Sequence, residues 1–192
     1  MAATVTSAER AARFLLPRLT RGSRVVLIDG QSGSGKSTLA RLLHELATDQ
    51  AMGVTLLQLD HVYPGWNGLR DGAREVAERV VLPLSQGRPG YCLRYDWTTG
   101  DKSRPLFFKP GRPLIVEGVG ALHPLSAPVA SGRVWVTAPT EVRKKRALDR
   151  DGDLYRPHWH QWAAQEDEYV RKTRPLVRAE LILDTTAAEA LR

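Results

Sequence analysis

The chain alternates short apolar runs with longer stretches in which apolar residues recur every three or four positions. Val25-Val26-Leu27-Ile28 is an unbroken, mostly β-branched run, and it predicts a strand over residues 23–29 that is buried on both faces. Leu39, Leu42, Leu43 and Leu46 follow at helical spacing and predict a helix over 36–47. The same reading gives strands at 54–59, 113–117, 133–137 and 181–184. It gives helices at 71–82, 140–150 and 157–173, the first stopped by Gly87-Arg-Pro-Gly90. Residues 91–97 read as extended, one half of a hairpin. Near the start, Ala11, Phe14, Leu15 and Leu19 line up on one side of a short amphipathic helix. Strands alternating with helices predict an α/β fold with a mostly parallel sheet. In such sheets ligands bind beyond the carboxyl ends of the strands.

Composition narrows this picture. With 192 residues, 42% of them hydrophobic, the chain suits one globular domain over 1–192. No apolar run reaches the roughly 18 residues of a membrane span, and residues 1–19 lack the pattern of a signal peptide. The single cysteine, Cys92, excludes an intrachain disulfide, so the expected location is the cytoplasm. The net charge of +7, from 28 Lys+Arg against 21 Asp+Glu, favours anionic partners. There is no basic tail and no RNA-binding signature, which ranks small phosphates ahead of nucleic acid. Oligomeric state is not legible.

The first chemical signal lies between the first strand and the first helix. Gly30-Gln31-Ser32-Gly33-Ser34-Gly35-Lys36-Ser37-Thr38 matches G-x-x-x-x-G-K-[ST]. Glycines allow backbone N–H groups to converge on a phosphate, and the next helix adds its unpaired N–H groups and positive dipole end. Lys36 supplies a charge for the β- and γ-phosphates, and Ser37 a hydroxyl for Mg²⁺. ATP and Mg²⁺ are therefore the expected cofactors, within a three-layer α/β/α P-loop NTPase fold.

Further candidates sit where strands end. Asp60 closes the 54–59 strand and can take a proton from an attacking hydroxyl or help hold the metal. Glu117 closes Pro113-Leu-Ile-Val and occupies a Walker B-like position, a second metal candidate. Arg143, Arg146 and Arg150 share one helix face, where a transferring phosphoryl group would relieve their mutual repulsion.

Taken in order, these segments resemble the P-loop kinases grouped with uridine kinase, phosphoribulokinase and bacterial pantothenate kinase. The P-loop comes first. Asp60-His-Val-Tyr63 is similar to the family's D-x-F-Y, Tyr95-Asp96-Trp97 to its Y-D-F, and Glu117-Gly118 to its E-G. Residues 143–151 are similar to the lid spacing R-x-x-R-x-x-x-R-D, which places a helical lid at about 143–160 and acceptor-binding residues at about 60–112. The resemblance implies that Asp60 is the base, that Tyr63, Tyr95 and Asp96 contact the acceptor, and that Glu117 serves metal and phosphate. It also implies that the three arginines close over the phosphates. After Trp97 the chain runs Thr-Thr-Gly100-Asp101-Lys102 and lacks the histidine usual in uridine kinases, which argues against uridine or cytidine as acceptor.

Trp66 and Trp97 follow strand ends beside polar residues and are assigned to the acceptor pocket. Trp162 and Tyr169 read as packing residues. The expected activity is ATP-dependent phosphoryl transfer to a hydroxyl of a small molecule. A nucleoside monophosphate kinase, and a nucleotide-binding ATPase or regulator with a macromolecular partner, remain open alternatives.

Overall fold

The computed structural model describes residues 2–187 and 190. In chain order the elements are β1 (Ala3–Val5), α1 (Ala8–Leu15), β2 (Val25–Asp29), α2 (Lys36–Asp49), β3 (Thr55–Gln58), α3 (Leu69–Val76) and α4 (Leu82–Ser85). They continue with β4 (Gly90–Tyr95), β5 (Lys102–Phe108), β6 (Leu114–Glu117), β7 (Gly132–Thr137), α5 (Thr140–Tyr155), α6 (Trp159–Thr173) and β8 (Leu181–Asp184). Six strands form one sheet in the order β1-β8-β7-β2-β6-β3, every pair of them parallel. Strands β4 and β5 form a separate antiparallel hairpin.

Alternation along β2 sorts the core into two layers. Val26 and Ile28 pack with Leu15, Leu39 and Leu43 on the α1/α2 face. Val25 and Leu27 pack with Leu69, Val80, Trp162 and Tyr169 on the α3/α6 face. Helices on both faces explain why β2 reads as continuously apolar: all five of its residues are buried. The result is a three-layer α/β/α fold with a parallel sheet, as the sequence pattern predicts.

Local differences have local causes. The helix expected at 71–82 is one rod from 69 to 85, interrupted by a π-helical turn at Ala77–Val81. Pro83, which has no N–H to donate, follows two residues after that turn. Strand β5 is the other half of the hairpin expected at 91–97; its bounds are not legible because Lys102-Ser-Arg-Pro interrupts the β-propensity of the run, and the hairpin lies outside the main sheet, where such residues are tolerated. Strand β1 is only three residues long and exists by pairing with β8. In α1, Ser7 caps the first turn, and Ala8, Ala11, Ala12 and Leu15 are buried. Phe14, expected on that face, is instead 37% exposed, with the Arg18 guanidinium over its ring. Helix α5 breaks at Gly152, which has left-handed φ (+55°).

Among the described residues, no helix is long and apolar enough to cross a membrane.

Candidate active site

The loop between β2 and α2 is shaped by what surrounds it. A Cβ on Gly30 would lie 2.2 Å from the Val136 carbonyl oxygen, and one on Gly33 would lie 2.0 Å from that of Arg143. Both glycines have positive φ, so the loop tolerates no larger residue at either place. Gly35, also at positive φ, opens α2. The largely buried Lys36 folds back so that its Nζ donates to the Gln31 carbonyl (3.3 Å). Ser37 Oγ donates to Glu117 Oε1 (3.0 Å), and Gln58 Nε2 donates to the same oxygen (3.0 Å). Parallel pairing of β6 with β2 and β3 brings Glu117 to this position. A depression of about 400 Å³ lies over Gly33, Gly35, Lys36, Ser37 and Thr38, walled by Arg41, Arg146 and Arg150. Arg41, on α2, carried no sequence signal beyond its charge.

The oxygens of Ser37 and Glu117 are hard donors of the kind Mg²⁺ takes, and Mg²⁺ is usually held by one or two carboxylates together with substrate phosphates. The side chains present therefore fit the ion. Among the described residues, no cluster of three or more His, Cys, Asp or Glu could hold a metal on protein ligands alone.

The three arginines of α5 do not act as one face. Arg146 and Arg150 border the depression, Arg146 held by donations to Thr185 Oγ1 (3.0 Å) and the Thr185 carbonyl (2.8 Å). Arg150 pairs with Asp151, which raises its pKa further. Arg143 is 6% exposed and turned behind the loop, donating to the carbonyls of Ala138 (3.1 Å) and Ser32 (3.3 Å). The first turn of α5 packs too tightly on Gly33 for its side chain to face the depression.

Several supporting residues were invisible as site residues in the sequence. Glu166, fully buried on α6, accepts from the Ser32 amide (2.8 Å) and hydroxyl (2.6 Å), while its Oε2 lies 3.8 Å from Arg143. Burial raises its pKa, and the Ser32 hydrogen bonds, Lys36 and Arg143 oppose that rise. Asp29 is also fully buried. It accepts from the amides of Gly30, Gly120 and Leu122 and from the Tyr169 hydroxyl (2.6 Å), so β2, the loop after β6 and α6 meet on one carboxyl. Burial again raises its pKa, against the pull of those hydrogen bonds. Thr185 donates to the Ser34 carbonyl (2.7 Å) and ties the end of β8 to the loop. Apart from Asp29–Gly30 and Glu166–Arg143, each of these contacts spans more than ninety residues, so only the fold creates them.

Beside the loop, a cleft of about 390 Å³ is lined by Asp60, Trp66, Trp97, Arg150, Tyr155 and Trp162 and reaches Ser32 and the buried edge of Tyr63. Asp60 is accessible in this opening yet crowded by protein. Desolvation, then the Glu117 charge, raises its pKa above the ordinary aspartate value, while Lys36 and Arg150 pull it down. Trp66 sits at the centre of the aromatic wall, stacked on His158 (4.2 Å between centroids) and Tyr155 (5.6 Å) and tilted against Trp97 (4.8 Å). The Trp97 indole donates to the Asp60 carbonyl (2.8 Å), which fixes the hairpin over the end of β3.

Other expected acceptor residues are placed differently. Tyr63 is 1% exposed, and its hydroxyl donates to the Val119 carbonyl (2.7 Å), so most of the ring packs in the core against Trp162. The Asp96 carboxylate accepts from the amides of Thr98 (2.8 Å) and Thr99 (3.4 Å) and shapes the hairpin turn. It borders, with Tyr95, a second depression on the other side of Trp97 instead of the cleft holding Asp60. The Asp carboxylate at this place in the chain is thus a turn-former, and its hydrogen bonds lower its pKa.

No protein-family model matches the chain. It is similar to the cytidylate kinase of Ignicoccus hospitalis, 29% identical over 154 residues, covering 77% of each protein. Among solved structures it is similar to a possible uridine kinase from Bacillus stearothermophilus (TM-score 0.65, 22% identity, 92% of this chain and 97% of the other). It is also similar to a proposed fructose transport system kinase from Silicibacter sp. TM1040 (TM-score 0.55, 17% identity, 92% and 98%). The fold is a P-loop kinase fold. These likenesses span kinases of differing description and do not single out one family.

Proposed function

We propose that this chain is an ATP-dependent phosphotransferase that moves the γ-phosphate to a hydroxyl of a small molecule. One observation carries the reading: the crowded carboxylate of Asp60 lies in an aromatic cleft that reaches Ser32 of the phosphate loop and shares Arg150 with the depression over Lys36 and Ser37. A nucleotide and an acceptor would meet there.

Backbone amides of 30–38, with Lys36, hold the triphosphate. Ser37 and Glu117 would hold Mg²⁺, with Asp60 near enough in charge to assist; the ion, when bound, neutralises phosphate charge as it develops. Asp60 accepts the proton of the acceptor hydroxyl, a role favoured by a raised pKa. Arg146 and Arg150 border the depression over Lys36 and Ser37 and would stabilise charge on the transferring group. Arg143 and Glu166 hold Ser32 from behind and have no place among the reacting atoms. Trp66, Trp97 and Tyr155 offer flat faces to a ring-bearing or polyol acceptor.

A second reading, a nucleoside monophosphate kinase, is favoured by the likeness to a cytidylate kinase. The deciding experiment is ADP production from Mg-ATP with and without nucleosides, nucleoside monophosphates, sugars and pantothenate-like alcohols. Stimulation by hydroxyl acceptors is expected. Stimulation by monophosphates alone, with the new bond formed at their phosphate, would replace the first reading with the second. Slow hydrolysis indifferent to all of them would overturn both.

A further inference from the structure

The depression behind Trp97 is basic in an unusual way. Arg94 and Arg104 are direct cross-strand partners on the hairpin, and both line it. Like charges placed directly opposite destabilise a hairpin. Among the described residues, neither guanidinium has a carboxylate within ion-pair distance, whereas their neighbour Lys102 pairs with Glu75. The register shifts between Arg94 and Tyr95, so that Ser103 is the extra residue of a bulge, and Ser103 lines the depression too. Bulges of this sort re-aim side chains beside functional sites. His61 borders the same space, and the carboxylate that lines it, Asp96, accepts both turn amides through Oδ1 and lies beyond ion-pair distance of either guanidinium. Two guanidiniums, an imidazole and a hydroxyl, against the one Asp96 carboxylate, thus line a space of about 410 Å³.

This space adjoins the aromatic cleft. Asp60 lines the cleft and its neighbour His61 lines the depression, their Cα atoms about 3.8 Å apart across one peptide. Trp97 borders both. A molecule with its reacting hydroxyl at Asp60 would therefore reach the guanidiniums around the edge of one indole.

We propose that Arg94 and Arg104, with His61 and Ser103, form an anion subsite for the acceptor, which is a hydroxylated phosphate ester or carboxylate. This rests on the kinase reading of the neighbouring cleft. Guanidinium forks match both anions, and charge-assisted bonds to them are the strong ones.

The test is calorimetric titration of ribose, ribose 5-phosphate and gluconate into the protein saturated with a magnesium-bound, non-hydrolysable ATP analogue, which fills the phosphate loop. At least one of the two anions should bind about tenfold or more tightly than neutral ribose. The margin should vanish in the double variant Arg94→Met/Arg104→Met, two substitutions at exposed positions that leave the core intact. Preference for ribose 5-phosphate identifies a phosphate ester, and preference for gluconate a carboxylate. Equal binding of all three, or a margin that survives the double variant, would overturn the subsite. ADP production by the unaltered protein is measured separately: its absence with every acceptor would overturn the kinase reading, whatever the titrations show.

Discussion

The proposed nucleotide side and the proposed acceptor side of this molecule are built in opposite ways. The phosphate loop is nine consecutive residues, and most of its hydrogen-bonding capacity is its own backbone. The acceptor side draws Asp60 from the end of β3, Trp66 from a loop, Trp97 from a hairpin, and Tyr155 and Trp162 from two helices. Local chemistry specifies the first region. Only packing specifies the second. The groups that would face a phosphate come from one short run, whereas a site assembled from distant segments can be re-aimed by a bulge or a turn, and acceptor choice is expected to reside there.

The sharpest way to break this contrast is Lys36→Ala. ADP release should fall by about 10² to 10³, the scale of losing one preorganised charge at a transition state; an unchanged rate would detach the loop from the chemistry. Next is Asp60→Asn, which should lower phosphoryl transfer by about 10² or more while the affinity for ATP holds. The pH profile sharpens this prediction. Because the pKa of Asp60 is raised, its carboxylate is lost at a higher pH than an ordinary aspartate as the solution is acidified, so transfer should decline on an acid limb displaced upward. Asp60→Asn should abolish that limb, and a limb that persists would assign it to another group.

Glu166→Ala tests whether the loop is also held from outside. It removes the acceptor for both Ser32 groups and leaves Arg143 buried without its anion, a loss of about 3 kcal/mol in denaturant unfolding. Glu166→Gln, which keeps an acceptor oxygen, should lose less; equal losses would locate the whole effect in the charge. The smallest effect belongs to Trp97→Phe. Losing the indole bond to the Asp60 carbonyl is worth about 1 kcal/mol. It should raise the KM for the acceptor severalfold and leave that for ATP in place, and the reverse pattern would place the hairpin on the nucleotide side.

Legibility followed the same division. The runs at 25–28 and 113–117 announced buried strands and 181–184 a last short one, and G-x-x-x-x-G-K-[ST] between a strand and a helix announced the loop. Asp60 and Glu117 were legible as acids at strand ends, because a parallel sheet gathers those ends on one edge. The arginines were legible as a helix face but not as separate positions: helical spacing puts Arg143, Arg146 and Arg150 together, while the close approach of α5 to Gly33 turns Arg143 behind the loop. Asp96 had the right neighbours for an acceptor contact, yet the hairpin places it outside the cleft that holds Asp60 and two turn amides donate to its Oδ1. Glu166 was not legible as a brace, since nothing in α6 indicates that Ser32, more than a hundred residues away, will supply its hydrogen bonds.

The sequence by itself determined the layered α/β architecture, the phosphate loop and the identity of the acids that end β3 and β6, because periodicity and backbone freedom act over a few residues. Only the tertiary structure decided which arginines face the loop, which carboxylates are buried as braces, and that Trp97 divides an aromatic cleft from a basic depression. Those outcomes depend on contacts between distant segments, where burial and a fixed supply of hydrogen-bond partners choose among side chains of the same kind.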